Sequence, residues 1–317
     1  MSMNVPEVIE SRRASCNGIG MSITVMKNLL DTRAKAGATR GSGEGRWPLI
    51  LSACQSSLGS SGTTMSEPRL PPETLDSIID FLHDDHITLR RCCLVSKSWV
   101  PRTRTHLFAD IQLESPGDLK AWMKAFPDPV SSPGCYTCTL AVVGFPCLFT
   151  GTNAEESGWI RAFSNVTQLL LWSGPGNKPL GNLAPFHRFS PTLKSLRVVS
   201  NKLSFPATFN LIRSFPLLKN LSIKCLEAVA DNDQPLLQPS TSPVLTGTLE
   251  LYLPDRGTEH IARQLLGVSS GLHFREFVWR WRGEEDARWV AALVEACSDT
   301  LERIDIISLS RMSSQLS

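Results

Sequence analysis

The sequence predicts an α/β protein in which a short helical module, residues 69–108, precedes a run of repeated units, residues 109–317, that contribute parallel strands. Three observations carry that reading. The stretch Arg69–Trp99, RLPPETLDSIIDFLHDDHITLRRCCLVSKSW, spaces its apolar residues as helices do. Beyond it, an apolar triplet of the form Leu-x-x-Leu-x-Leu returns at nearly even steps. Residues 1–64, by contrast, hold GATRGSGEGR and QSSLGSSGTT and little periodic apolar content, a composition that predicts a disordered N-terminal extension. Met65 lies directly before the helical module, where a chain of this kind would begin.

Pro72 and Glu73 suit a first helical turn, because Pro lacks only a donor the helix would not use there and Glu favours the positive end of the dipole. Leu75, Ile78, Ile79 and Leu82 follow at helical spacing, the polar HDDH interrupts, and Ile87 to Val95 gives a second apolar stretch. Pro101 would break a helix running through it, so the third helix is expected to begin near Ser98 with Pro101 in its first turn. These helices, about 40 residues in all, carry more apolar positions than so small a unit can bury by itself. Such a module should dock on something else.

The segment resembles the F-box, the trihelical motif that ties a substrate receptor to the Skp-family adaptor of a ubiquitin ligase. Leu70, Pro71 and Glu73 fall on that family's Leu-Pro-x-Glu start, and Ile78, Ile79 and Leu82 on its Ile-x-x-x-Leu core. Leu89 takes the Leu of the middle helix, while Val95 and Trp99 take the Val-Cys-x-x-Trp ending. Thr74 and Ser96 stand where Leu and Cys are common. The resemblance implies an adaptor-binding site made by Leu70, Pro71, Glu73, Leu75, Ile78, Ile79, Leu82, Leu89, Val95 and Trp99.

The triplets are Phe108/Ile111/Leu113, Val166/Leu169/Leu171, Leu193/Leu196/Val198, Leu218/Leu221/Ile223, Phe274/Phe277/Trp279 and Leu301/Ile304/Ile306. Two weaker copies, Thr137/Leu140/Val142 and Thr246/Leu249/Leu251, begin on Thr. Successive first positions are separated by 29, 29, 27, 25, 28, 28 and 27 residues. Such steps fit leucine-rich repeats, in which each turn supplies one short strand whose alternate side chains enter the core. A helix or irregular segment then returns along the other flank. Candidate returns run over 116–126, 155–163, 206–215, 258–266 and 284–297; the last places Ala287, Val290, Ala291, Val294 and Cys297 on one stripe. The asparagine typical of plant and animal repeats is missing, so the copies resemble the irregular kind seen in fungal F-box proteins.

In this register the residues beside the inward positions face solvent on a concave sheet. One row is Leu170, Arg197, Ser222, Glu250, Val278 and Asp305; the next is Trp172, Val199, Lys224, Tyr252, Arg280 and Ile307. Trp172, Arg197, Lys224, Tyr252 and Arg280 are the candidate substrate face, since aromatic and Arg side chains build binding hot spots. Arg197 and Lys224 lie in consecutive turns and could converge on one anionic group, with Glu250 limiting the patch.

The rest of the composition narrows the function. A formal charge of +2 argues against duplex nucleic acid or an anionic membrane as a bulk electrostatic partner. The longest apolar run, Leu140 to Phe149, is short and broken by Pro146, so no span across a membrane is expected. Nine cysteines at irregular gaps suggest reduced thiols in the cytoplasm or nucleus. Cys135 and Cys138 have zinc spacing but lack a second pair at a suitable distance, and the histidines make no ligand pairing. Phosphate-loop and nucleophile-elbow motifs are absent. No enzyme activity and no cofactor are therefore expected.

Together with the resemblance, this implies a substrate-recognition subunit of a Skp–cullin–F-box ubiquitin ligase. The F-box would bind the Skp-family adaptor and, through it, a cullin–RING scaffold, while the repeats hold a protein substrate. The alternative within the same resemblance is a scaffold that binds the adaptor without a ubiquitylation role. A hydrolase on a compact α/β fold ranks below both, because no nucleophile is framed. Only residues 307–317 follow the last triplet, which leaves its turn without a covering helix and leads us to expect a solenoid shortened at the C-terminus.

Overall fold

A computed structural model describes residues 21–22, 70–144, 158–173, 183–229, 244–253, 257–268, 271–281 and 287–308. The expectations for the remainder of 1–64, for 284–286 and for 309–317 lie outside these residues. Contacts divide the chain into two compact units at Thr103/Arg104, against an expected module end at 108.

The first unit is helical. Helix α1 (Pro72–Phe81) starts on the Pro-Glu pair, with Glu73 in its first turn. The HDDH break ends in Asp85, whose carboxylate accepts from Ile87 N at 3.1 Å and Thr88 N at 3.0 Å and so caps α2 (His86–Val95). Hydrogen bonds from Thr88 hold the Asp85 carboxyl below its ordinary range. Ser96 accepts from Ser98 N and opens a 3-10 turn at Lys97–Trp99 that runs into α3 (Val100–Leu107), with Pro101 in the first turn of the α-helix. Ile79, Leu89 and Cys92 form the buried apolar centre. Thr103 joins them by donating its hydroxyl to Trp99 O at 2.7 Å, and Arg102 grips both carboxylate oxygens of Asp80.

The second unit is built on one open, parallel sheet of nine strands whose spatial order is their order in the chain. The strands are β1 (Met21–Ser22), β2 (Asp110–Leu113), β3 (Thr139–Val143), β4 (Gln168–Trp172), β5 (Ser195–Ser204), β6 (Asn220–Val229), β7 (Thr248–Tyr252), β8 (Glu276–Trp281) and β9 (Arg303–Ser308). β1 is a two-residue exception to the disorder expected of residues 1–64, pairing with Ile111 and Gln112. The fold class α/β with parallel strands stands. Four return helices are α4 (Pro116–Ala125), α5 (Phe205–Arg213), α6 (Gly257–Leu266) and α7 (Ala287–Ala296). The return expected over 155–163 is a 3-10 turn at Trp159–Ala162 in its described part.

The triplets set the register. Ile111, Leu140, Leu169, Leu196, Leu221, Leu249, Phe277 and Ile304 are successive partners across the sheet, as are Leu113, Val142, Leu171, Val198, Ile223, Leu251, Trp279 and Ile306. Both rows are buried until β9. Among the first positions, Thr137, Val166, Leu193, Leu218 and Phe274 are fully buried, and Phe108 and Leu301 are half-buried. Thr246 is also half-exposed, and the adjacent Leu245 is buried in its place and bridges to Leu272. Gly247 permits that shift: its φ is +107°, and a Cβ there would collide with Asn220 Oδ1, which is engaged with Thr248 N.

Hydroxyl groups tie one turn to the next, beside the side chains of Asn220 and Asn165, which bond to Thr248 N and Cys135 O. Thr192 donates to Val166 O at 2.7 Å, Ser190 to Ser214 O at 2.5 Å, Thr300 to Phe274 O at 3.1 Å and Thr167 to Cys138 O at 3.3 Å. Each meets a backbone carbonyl between strands, where an unpaired group would be costly. Thr137 is different, because its Oγ1 is buried with no hydrogen-bond partner. Replacing Thr137 with Val keeps the volume and removes the unmet hydroxyl. We expect Thr137→Val to raise the melting temperature and to add about 1 kcal/mol of stability in a denaturant titration.

Candidate functional site

Each unit carries a candidate binding surface. On the helical unit, α1 and α2 use one apolar face for the internal centre and leave a second uncovered. Phe81 is 88% exposed and Leu94 82%, and Leu70, Ile78, Ile87 and Val95 are also exposed. Ile87, Leu94 and Val95 fall on one side of α2, and Ile78 and Phe81 are three residues apart on α1. Isolated apolar side chains on a surface are ordinary, but five of these six lie within two ten-residue helices, which makes the face a candidate docking surface.

Two sequence-predicted contact residues are corrected here. Ile79 and Leu89 are buried inside the unit, because their positions on α1 and α2 turn them away from solvent and into the small apolar centre. They hold the surface up and cannot touch a partner directly. Leu70, Pro71, Glu73, Ile78 and Val95 are exposed as a contact requires, while Leu75, Leu82 and Trp99 are half-buried. Phe81, Ile87 and Leu94 were not singled out from sequence. The signal was there, in apolar residues outside the stripe that Leu75, Ile79 and Leu82 define.

On the sheet, the outward rows are aligned as the triplets require. Arg197, Ser222 and Glu250 are neighbours across β5, β6 and β7, and Trp172, Val199, Lys224, Tyr252 and Arg280 are neighbours across β4 to β8. Trp172, Arg197, Tyr252 and Arg280 are half-buried on this face. Lys224 is corrected: at 9% exposure it is buried, because its Nζ lies 2.7 Å from Glu250 Oε1 and folds down onto it. Ser222 donates to the other oxygen, Oε2, at 2.7 Å. The anionic group on which Arg197 and Lys224 were expected to converge is thus supplied in part by the chain itself. Arg197 acts on Glu250 through its charge, and the Nε atoms of Arg197 and Arg280 are buried without a hydrogen-bond partner.

Burial pushes the Glu250 carboxyl up, but hydrogen bonds from Lys224 and Ser222 and the charges of Lys224 and Arg197 outweigh it and leave the group below its ordinary value. A carboxyl depressed in the fold stabilises the protein above its unfolded pKa, about 4.3. That contribution fades as pH falls through the ordinary value and is gone once the pH lies below the folded one. We expect the acid limb of a melting-temperature profile to be shallower in Glu250→Gln than in the parent. Parallel acid limbs would show that the cluster contributes nothing there.

The remaining polar candidates do not come together. Cys135 is half-buried and Cys138 exposed, and among the described residues no group of His, Cys, Asp and Glu is arranged to hold a metal ion. No described helix is long and apolar enough to cross a membrane. No protein-family model, curated protein or solved structure matches the chain.

Proposed function

We propose that this chain is the substrate-recognition subunit of a Skp–cullin–F-box ubiquitin ligase. The observation that carries the reading is the uncovered apolar face of the helical unit, above all Phe81 and Leu94, within a segment whose residues resemble the F-box. On this reading the exposed Leu70, Pro71, Ile78, Phe81, Leu94 and Val95 dock on the Skp-family adaptor, which joins them to a cullin–RING scaffold. Ile79 and Leu89 act as their internal support.

The second unit is, on the same reading, a leucine-rich-repeat solenoid. Its support is the sequential strand order together with triplets that fall in register at steps of 25 to 29 residues. Its outward face, with Trp172, Arg197, Tyr252 and Arg280 around the Lys224–Glu250 pair, holds a protein substrate. The mechanism is proximity: docking raises the effective concentration of substrate beside the ubiquitin-loaded enzyme, and the thioester chemistry belongs to other subunits.

The test is affinity purification of the full chain followed by mass spectrometry. The adaptor and the cullin are the expected companions, and their absence overturns the proposal. Accumulation of a captured protein when the gene is deleted separates a ligase receptor from a scaffold without ubiquitylation role.

A further inference from the structure

The last described strand differs from the others in what it leaves uncovered. β9 has β8 on one side and no described strand on the other. Ile304 and Ile306 occupy the two core rows, yet they are 45% and 55% exposed, whereas their partners Phe277 and Trp279 are at most 2% exposed. With Trp279 and with Val290, Ala291 and Val294 of α7, they line an apolar groove of about 320 Å³. The stripe read from sequence on α7 therefore faces this groove, and the helix is anchored instead through Leu293 and, just beyond it, Cys297, both fully buried.

The backbone and charges of the same edge define what fits it. Arg303 N donates to Arg275 O at 3.0 Å, so strand alternation turns the N–H and C=O of Arg303 and Asp305 toward β8 and those of Ile304 and Ile306 toward the open side. On the face opposite the groove, Arg303 and Asp305 lie 2.8 Å apart, with both side chains exposed.

We propose that this edge is a self-association surface, and that its occupant is β9 of a second copy, paired antiparallel about a two-fold axis at Ile304. That register joins Ile304 to Ile304 of the second copy through the groups that point outward, and it brings the two apolar grooves together. It also sets Arg303 against Asp305 of the second copy, and by symmetry Asp305 against Arg303, giving two complementary charge pairs. A shift of the axis to Ile306 keeps the backbone bonds but sets Asp305 against Ile307 and loses both charge pairs. In-register parallel pairing sets Arg303 beside Arg303 and Asp305 beside Asp305. Of these three registers only the one about Ile304 sets both charges against their opposites, with Glu302 beside Ile306 of the second copy, and that charge pairing is the reason to assign the edge a second copy over an unrelated partner. The inference does not rest on the proposed function.

The test is the solution mass of the full chain by sedimentation equilibrium over a broad concentration range. The expected species has twice the chain's 34.9 kDa and dissociates on dilution. Arg303→Glu alone should halve that mass, as should Asp305→Arg alone, because each places like charges opposite one another. Mixing the two variants should restore the dimer, since the introduced carboxylate of one chain then faces the introduced guanidinium of the other; this recovery cannot arise from a contact within one chain. Ile304→Lys, on the groove side, should also be monomeric with an unchanged melting temperature, because the axis sets the two introduced cations against each other. A parent chain that stays monomeric, a dimer indifferent to Arg303→Glu, or a mixture that remains monomeric overturns the proposal. So does a dimer that forms only after the chain is trimmed at Ser308, because residues 309–317 would then be the native cover.

Discussion

Replacing Leu70 and Pro71 together with Ala should abolish co-purification of a Skp-family adaptor while leaving the melting temperature of the sheet unit unchanged. Leu70 is 53% exposed and precedes α1, so its loss should act on the interface rather than on the fold. A large apolar side chain that becomes fully buried at a contact contributes about 1.5–3 kcal/mol, and weakening by two such terms takes a typical complex below detection in a pull-down. Phe81→Ala and Leu94→Ala form a second arm, because both side chains are almost fully exposed and neither helix needs them to close its own core. Leu89→Ala provides the contrast. It should unfold the helical unit through a cavity costing about 2–5 kcal/mol, and binding would then fail for a different reason. Adaptor binding that survives both the double substitution and Phe81→Ala would falsify the F-box reading.

Along the sheet, stability should respond to substitution in alternation. Leu196→Ala, Ile223→Ala and Leu251→Ala each remove a fully buried side chain from the two core rows and should cost about 2–5 kcal/mol in chemical unfolding. Tyr252→Ala, one residue from Leu251 and on the other face, should cost far less, closer to the roughly ±0.5 kcal/mol usual for surface changes. Lys224 does not belong with the surface set. Lys224→Ala strands the half-buried Glu250 beside Ser222 and should cost about 1–3 kcal/mol, the range for a lost charged hydrogen bond. Lys224→Ala behaving like Tyr252→Ala would mean that the ion pair is idle, and a Tyr252→Ala as damaging as Leu251→Ala would mean that the alternation is wrong.

The strand positions were legible because the triplet leaves little choice of register. Once Leu196 and Val198 are both inward, Arg197 and Val199 must be outward, and the same step fixes Ser222, Lys224, Glu250 and Tyr252. Which outward residues are free for a partner was not legible, since strand parity says nothing of neighbours across the sheet. Lys224 reaches Glu250 only because β6 and β7 are paired with Lys224 beside Tyr252. On the helices, period alone could not assign Ile79 and Leu89 to the interior against Ile78 and Ile87, because α1 and α2 each carry apolar residues on two faces. The shift at Thr246 was hidden as well: it depends on the positive φ of Gly247, a backbone property that no apolar pattern reports.

Strand order that copies chain order has a consequence for how such a protein can change over generations. Each described strand meets only the one before and the one after it, and the sheet never returns to its first strand. A closed barrel counts its members, because losing one breaks the ring; an open row does not count. Duplication or loss of a whole unit leaves every other strand with the neighbours it had. A change of one or two residues can be absorbed in a return segment, as the differing lengths between triplets already display, provided that the strand keeps its two-residue alternation. Growth by whole units and tolerance within the returns are therefore open to this architecture, while a single-residue insertion inside a strand exchanges its buried and exposed sets at once.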